Sequence, residues 1–95
     1  RKTNLVNFYR DHKLWNELES TIYLFAGSDI TQMSPEMAYD RAVAVHEQNR
    51  LEDAIRDYTS LIERGGDLRD VPLRLARAHI ELRDEAAAEA VFTNL

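Results

Sequence analysis

The amino-acid sequence predicts an all-α fold built from antiparallel helix hairpins, and two observations lead to that prediction. Residues 51–62 place their apolar side chains at the spacing of one helix face, whereas the period-two alternation typical of strands is nowhere sustained. An alanine followed four residues later by an aromatic ring also occurs twice, as Ala54 with Tyr58 and Ala88 with Phe92. Both offsets are 34 residues (88 − 54 and 92 − 58), which indicates a repeated two-helix unit.

The first predicted hairpin precedes a short linker. Its first helix ends near Lys13 and its second ends at Gly27, where the linker of residues 27–34 begins. The apolar residues that define the two helix faces are Leu5, Phe8 and Tyr9, then Leu14, Leu18, Ile22 and Phe25.

The second predicted hairpin has the clearest start and stop signals. Ser34 can cap a helix whose first position is Pro35, a residue that already holds a helical φ angle. A tight corner at Asn49 leads into the helix of residues 51–64. Gly65 and Gly66 end that helix, because glycine adopts the left-handed cap conformation without a Cβ clash.

The third predicted hairpin begins at Asp70, which can cap a helix, and turns at Arg83 and Asp84. The apolar-face residues of its two helices are Leu75, Ala76 and His79, then Ala88, Val91, Phe92 and Leu95. Six helices in three hairpins follow from this pattern. A single hairpin of this length cannot bury its own apolar stripe, so neighbouring hairpins are expected to stack as a solenoid.

The composition restricts the class of protein. The chain has 95 residues, enough for one domain with a thin core. Its 12 Lys and Arg against 17 Asp and Glu give a formal charge of −5, which disfavours nucleic acid and anionic membranes as partners. No apolar run approaches the roughly 20 residues of a membrane-spanning helix, so we expect a soluble chain without membrane insertion. Cysteine is absent, which suits the cytosol and the periplasm alike, and we favour the cytoplasm.

No converging set of reactive side chains points to catalysis or to a cofactor. His12, His46 and His79 lack the i, i+4 spacing of a zinc-binding helix, so we predict no metal site. His79 is expected at a helix interface and the other two histidines at the surface near turns. The carboxylates assigned to solvated faces or turns are Glu47, Glu52, Asp53, Asp57, Glu81, Asp84 and Glu85. We therefore expect a chain that is not an enzyme.

The two-helix units resemble the tetratricopeptide repeat family, whose 34-residue unit carries Leu-Gly and Tyr on its first helix, and Ala with Phe or Tyr on its second. The residues that carry the resemblance are Leu5 and Tyr9 in the first unit, Ala42, Ala54 and Tyr58 in the second, and Leu75, Ala76, Ala88 and Phe92 in the third. The chain departs from the pattern at Leu18, where the family has alanine, and at Arg41 and Val45, where it has leucine and tyrosine.

The resemblance implies a short right-handed superhelix of three units, at residues 1–30, 34–66 and 69–95, which form a single domain or a fragment of a longer solenoid. In that family the first helices of successive units line a concave groove that holds a peptide or a partner's helix. The residues that fall on groove positions, and are therefore predicted to bind a partner, are Asn7, Arg10, Tyr39, Val43, His46, Leu73, Arg77 and Ile80. We expect a protein–protein interaction scaffold.

Other interpretations stay open. The same pattern fits a plain antiparallel bundle, or a structural or regulatory segment of a larger enzyme or transcription regulator. A small helical enzyme that uses His46 or Glu47 is a further alternative. The stripe of Val91, Phe92 and Leu95 is expected to be partly exposed, and either further repeats of the same chain or a second copy in a two-fold dimer would cover it.

Overall fold

The computed structural model describes residues 2–27, 29–65 and 70–93, and the regular structure in these ranges is entirely helical. The elements are α1 (Lys2–Asp11), α2 (Trp15–Ala26), a 3-10 turn (Ile30–Gln32), α3 (Pro35–Glu47), α4 (Leu51–Arg64), α5 (Val71–Glu81) and α6 (Glu85–Thr93). The all-α prediction is thereby confirmed. None of the helices in these ranges is long and apolar enough to cross a bilayer. The predicted stop residue Gly66 and the stripe residue Leu95 lie outside the described residues.

The three hairpin turns repeat one backbone geometry. A single residue in each turn takes the left-handed conformation, with φ angles of 57°, 65° and 64° at Lys13, Asn49 and Arg83. The next residue donates its amide to the carbonyl five residues earlier, with N···O distances of 2.9 Å (Leu14 to Tyr9), 3.2 Å (Arg50 to Val45) and 2.8 Å (Asp84 to His79). The left-handed residues are 36 and 34 residues apart (49 − 13 and 83 − 49), so the predicted turns are confirmed and recur at the spacing of the units.

Residues next to the helix ends explain where four of the helices begin or end. The hydroxyl of Ser34 caps α3 by accepting a hydrogen bond from the amide three residues later, at 3.2 Å. Asp84 caps α6 in the same way, at 3.1 Å. After α2 and α4, Gly27 and Gly65 each have a φ of 77°, a conformation that strains other residues. Asp70 was also expected to cap a helix, but its side chain makes no cap hydrogen bond to α5.

In the segment predicted as a linker, residues 29–33 pack against the core. Asp29 accepts hydrogen bonds from the amide and the hydroxyl of Thr31, at 3.0 and 2.7 Å, and so starts the 3-10 turn. Ile30 and Met33 are buried. The guanidinium of Arg64 donates to the carbonyl oxygens of both, at 3.2 and 2.9 Å. The segment is therefore an ordered element held against α4, too short to show a periodic pattern in the sequence.

Packing follows the order of the helices along the chain. Each helix packs chiefly against its neighbours in chain order, and the described residues span 41 × 25 × 20 Å. The alanines that are completely buried are Ala38, Ala42, Ala44, Ala54 and Ala78. Ala88 is only 3% exposed, so both alanines of the repeated pattern are buried as predicted. Small side chains at these contacts let neighbouring helix backbones approach closely.

The two aromatic rings of the repeated pattern differ in burial. Tyr58 on α4 is completely buried, as expected for a ring wedged between hairpins. Phe92 on α6 is 50% exposed and Val91 is half-buried, as expected for the stripe on the last helix. In the described part of the chain α4 is covered by α5, whereas α6 packs on α5 with no helix beyond it.

Candidate functional site

The eight residues predicted to bind a partner divide into an exposed group and a group engaged within the fold. The exposed group lies on one face of α5, with 59% of Leu73, 59% of the Arg77 side chain and 53% of Ile80 open to solvent. We call Leu73, Arg77 and Ile80 the α5 ridge. The members that are half-buried are Asn7, Arg10 and Tyr39, and those that are buried are Val43 and His46.

His46 joins three helices through both of its ring nitrogens. Its Nε2 lies 2.5 Å from Oε1 of Glu81 on α5, and its Nδ1 lies 3.0 Å from the hydroxyl of Tyr58 on α4. His46 is 5% exposed and Val43, one turn earlier on α3, is 7% exposed. The expectation that His46 lies at the surface is therefore wrong, because helical phase alone does not show that Glu81 on α5 and Tyr58 on α4 meet its ring.

Tyr58 extends this chain of contacts toward α5. Burial raises the pKa of Tyr58 well above its usual range, and the nearby guanidinium of Arg74 opposes that rise only in part. The carboxylate of Glu81 can only accept a hydrogen bond, so it favours the tautomer in which a neutral His46 ring carries its proton on Nε2. In that arrangement Nδ1 accepts a hydrogen bond and Nε2–H donates one to Glu81.

The hydrogen bonds that join Glu81, His46 and Tyr58 in that order resemble an acid–base relay, in which a carboxylate orients a histidine toward a hydroxyl. The hydroxyl at its end belongs to a residue with 0% exposure, so a substrate atom cannot reach it in this conformation. The hydrogen bonds therefore act as a connection among α3, α4 and α5.

A second polar cluster ties α3 to the start of α5. The hydroxyl of Tyr39 donates to Oδ1 of Asp70 at 2.5 Å. Nε of Arg74 donates to Oδ2 of Asp70 and to the hydroxyl oxygen of Tyr39, both at 3.1 Å. The guanidinium also lies 5.9 Å from the centre of the Tyr39 ring, within the range of a cation–π contact.

The ionisation of this cluster follows from its contacts. Burial raises the pKa of Tyr39, and the hydrogen bond that it donates to Asp70 raises it further. Burial alone would raise the pKa of Asp70, but the hydrogen bond from Tyr39 and the charge of Arg74 outweigh it and lower the pKa. The cluster therefore holds a neutral phenol, a carboxylate and a guanidinium whose charges offset each other within the fold.

Arg10 is engaged in a similar way between α1 and α3. Its Nη1 donates to Oδ2 of Asp40 at 3.1 Å, and its Nη2 donates to Oδ1 of Asn7 at 2.6 Å. Asp40 is only 4% exposed, so Arg10 supplies the charge that a buried carboxylate requires.

Arg41 and Asp57 form an ion pair between α3 and α4. Asp57 was assigned to a solvated face, and this prediction is wrong: its carboxylate is 1% exposed and is held by Arg41 at 2.9 Å. Arg41 occupies a position where the repeat pattern has leucine, so this departure from the pattern is compensated by a carboxylate on the adjacent helix.

A cleft of about 210 Å³ opens beside this pair, between α2, α3 and α4. Its charged side chains are paired with each other. Arg50 donates to both carboxylate oxygens of Glu19, at 2.7 and 2.9 Å, and Arg56 lies 3.0 Å from Asp53. The cleft therefore offers little unsatisfied charge to a ligand.

The three histidines lie in separate places. Within residues 2–27, 29–65 and 70–93 no three His, Asp or Glu side chains are grouped so that they could hold a metal ion. His12 is exposed, as predicted, and its ring packs on Phe8 with 4.2 Å between the ring centres. His79 is half-buried, and its Nδ1 has no hydrogen-bond partner among the described residues.

Sequence reasoning about the site missed the polar partners of the groove positions, chiefly Asp40, Asp70 and Arg74. The i, i+4 spacing of Asp70 and Arg74 was the one local signal that they interact.

Comparisons of the chain with protein-family models, with curated proteins and with solved structures found no match. The function is therefore inferred from the geometry of the side chains.

Proposed function

We propose that this chain is a non-catalytic protein–protein interaction scaffold, a short tetratricopeptide-like superhelix that binds a partner peptide or helix on the face formed by its first helices. The observation that carries the proposal is the α5 ridge. Leu73 and Ile80 are large apolar side chains that remain more than half exposed on the same helix face, with Arg77 between them. Arginine is one of the residue types that most often dominate the binding energy of an interface, and the two apolar side chains supply area to bury around it.

The repeated turn geometry supports the architecture in this proposal. The left-handed residues Lys13, Asn49 and Arg83 recur at the unit spacing, and successive helices pack in chain order. Both features are expected of hairpins that stack by translation, in which the first helix of each unit lies beside the first helix of the next. The hydrogen bonds from Arg10 to Asp40 and from Tyr39 to Asp70 join such helices directly.

The charges on these helices favour a partner with an acidic side chain. Arg10 and Arg74 are each bound to a carboxylate of the fold at 3.1 Å. Among the described residues Arg77 pairs with Glu81 at 3.9 Å, the limit of an ion pair, and the other oxygen of Glu81 is taken by His46. Arg77 therefore retains the capacity to bind an acidic group, and its apolar neighbours on the ridge suit an amphipathic helix.

A panel of amphipathic helical peptides, each with one acidic residue flanked by apolar ones, tests the proposal. We expect such peptides to bind the parent chain, and the double variant Leu73→Ala/Ile80→Ala to bind at least about tenfold more weakly, which corresponds to about 1.4 kcal/mol. The Arg77→Glu variant should no longer bind the acidic peptides, and it should still bind peptides in which lysine replaces the acidic residue. Leu24→Ala is the matched control, since Leu24 on α2 is 78% exposed. Equal binding by the parent and both ridge variants would contradict the proposal.

A further inference from the structure

Glu81 connects the buried ring of His46 with the exposed guanidinium of Arg77. Its Oε1 lies 2.5 Å from Nε2 of His46, and its Oε2 lies 3.9 Å from Nε of Arg77. The Glu81 side chain is 40% exposed and the Arg77 side chain 59% exposed. One carboxylate is therefore shared between a titratable group inside the fold and the charged residue of the α5 ridge.

The partners of His46 allow its ring to gain a proton without losing a hydrogen bond. Histidine is the side chain that ordinarily changes its charge between about pH 5 and pH 8. The carboxylate of Glu81 accepts from Nε2–H in both charge states. The hydroxyl of Tyr58 donates to Nδ1 of the neutral ring, and its oxygen can instead accept from Nδ1–H of the charged ring. Protonation thus changes the charge while the contacts among α3, α4 and α5 remain.

The charged groups around this imidazole come from three of the described helices. From α5, the carboxylate of Glu81 contacts the ring and favours a positive charge on it. The guanidinium of Arg74, also on α5, opposes that charge, but it reaches the ring only through the oxygen of Tyr58 on α4. On α2, Glu19 is paired with Arg50 at 2.7 Å. Glu81 is therefore the charge that a proton on the imidazole offsets most directly.

We propose that the charge of His46 regulates partner binding at the α5 ridge, so that an acidic partner binds more tightly when His46 is protonated. While the ring is neutral, the charge of Glu81 attracts Arg77 and repels an acidic group that approaches it. Once the ring is protonated, its positive charge offsets that of Glu81, and Arg77 binds the acidic group with less competition. The proposal rests on partner binding at the α5 ridge, and it adds the condition under which that binding is strongest.

The coupling between His46 and Arg77 is reciprocal, so it can be measured in the free chain. NMR titration of the histidine ring signals should give a midpoint for His46 that is at least about 0.3 pH units higher in Arg77→Leu than in the parent. The reason is that the variant leaves the charge of Glu81 entirely to the ring. His12 is exposed on α1, and its midpoint should stay unchanged as an internal reference. Equal His46 midpoints in the two chains would overturn the inference.

Binding of the acidic amphipathic peptides at about pH 8 and about pH 6 measures the regulation itself, since their carboxylates stay ionised in this range. We expect the parent chain to bind them at least about threefold more tightly at the lower pH. Peptides in which lysine replaces the acidic residue should show no such gain. Glu81→Gln should bind the acidic peptides at the higher pH as tightly as the parent does at the lower one, because a neutral amide leaves Arg77 unopposed.

Two histidine variants identify the group that titrates. His46→Gln should bind the acidic peptides equally at both pH values, and His12→Gln is the control that should keep the parental pH dependence. Far-UV circular dichroism shows whether the variants fold. Parental binding that is independent of pH, or a parental pH dependence in folded His46→Gln, would overturn the inference. Peptides that bind at neither pH would instead contradict the proposed function, and the titration of the free chain would still decide the coupling.

Discussion

Arg41 and Asp57 form a bidentate ion pair that connects α3 to α4. Nε of Arg41 lies 3.2 Å from Oδ2 of Asp57, and Nη2 lies 2.9 Å from Oδ1. The carboxylate is 1% exposed and the arginine side chain 13% exposed. The carboxylate is withdrawn from water, so its charge depends on the guanidinium of Arg41 for stabilisation.

Removal of one member of this pair should strongly destabilise the folded state. We expect Arg41→Leu to lower the free energy of unfolding by about 3–5 kcal/mol, because it leaves Asp57 charged and buried without its partner. The double variant Arg41→Leu/Asp57→Leu should recover most of that loss. Arg56→Leu is the control, since the Arg56 side chain is 70% exposed and its pair with Asp53 is worth at most about 1 kcal/mol. Urea unfolding followed by circular dichroism gives these values, and equal losses for Arg41→Leu and Arg56→Leu would disprove the prediction.

The hairpin turns should become more stable with glycine. Arg83 has a φ of 64°, a conformation that is strained for a residue with a Cβ atom. We expect Arg83→Gly to raise the free energy of unfolding by about 0.5–1 kcal/mol after the entropy of the unfolded chain is included. Arg56→Gly, within α4, should instead lower it by about 1 kcal/mol. Thermal or urea unfolding distinguishes the two, and destabilisation by both variants would argue against the left-handed turn.

The ring of His46 should hold one tautomer when it is neutral. The carboxylate of Glu81 can only accept, so Nε2–H donates to it, and the Nδ1 of the neutral ring accepts from the hydroxyl of Tyr58. Long-range nitrogen–proton correlation spectra should therefore show Nε2 protonated and Nδ1 unprotonated. The Tyr58→Phe variant should keep this preference, because Glu81 stays in place and still accepts from Nε2–H, whereas Glu81→Leu should weaken it. A ring protonated at Nδ1 in the parent chain would exclude the proposed direction of the hydrogen bonds.

Stability should fall at alkaline pH because of Tyr58. Burial raises the pKa of its phenol well above the ordinary value of 10.0, which it regains in the unfolded chain. Deprotonation thus favours the unfolded state, so the stabilisation is complete below pH 10.0 and is lost as the pH rises above it. We expect the slope of unfolding free energy against pH above 10.0 to be smaller in Tyr58→Phe than in the parent. Tyr23→Phe is a control at an exposed position, and a parental slope in Tyr58→Phe would contradict the prediction.

The helices and turns could be predicted from the sequence because their signals are local. The turns at Lys13, Asn49 and Arg83 follow from the point where one apolar stripe ends and the next begins. The buried alanines Ala54 and Ala88 follow from their place on that stripe. The 3-10 turn at residues 30–32 was missed, since three residues are too few to show a period.

The polar contacts of the candidate site could not be predicted in this way, because they join residues that are distant in sequence. Periodicity assigns Asp57 to the polar side of its helix, yet its partner Arg41 lies 16 residues away on another helix. His46 and its partner Glu81 are 35 residues apart. A buried charge or imidazole is stable only with such a partner, and the partner becomes visible only when the helices are packed. The residues of the α5 ridge were predicted from the resemblance to tetratricopeptide repeats, which places them at groove positions of a first helix, and the structure shows them exposed.

Distances between spin labels at the three turns test the proposed stacking of hairpins most directly. Lys13, Asn49 and Arg83 are exposed and equivalent in the three hairpins, and the chain has no cysteine, so pairs of cysteines can be introduced and labelled at these positions. If the hairpins stack by translation, the distance from Lys13 to Arg83 in dilute monomer exceeds both the distance from Lys13 to Asn49 and that from Asn49 to Arg83. Three similar distances, as in a closed bundle, would contradict the stack and the binding face built on it.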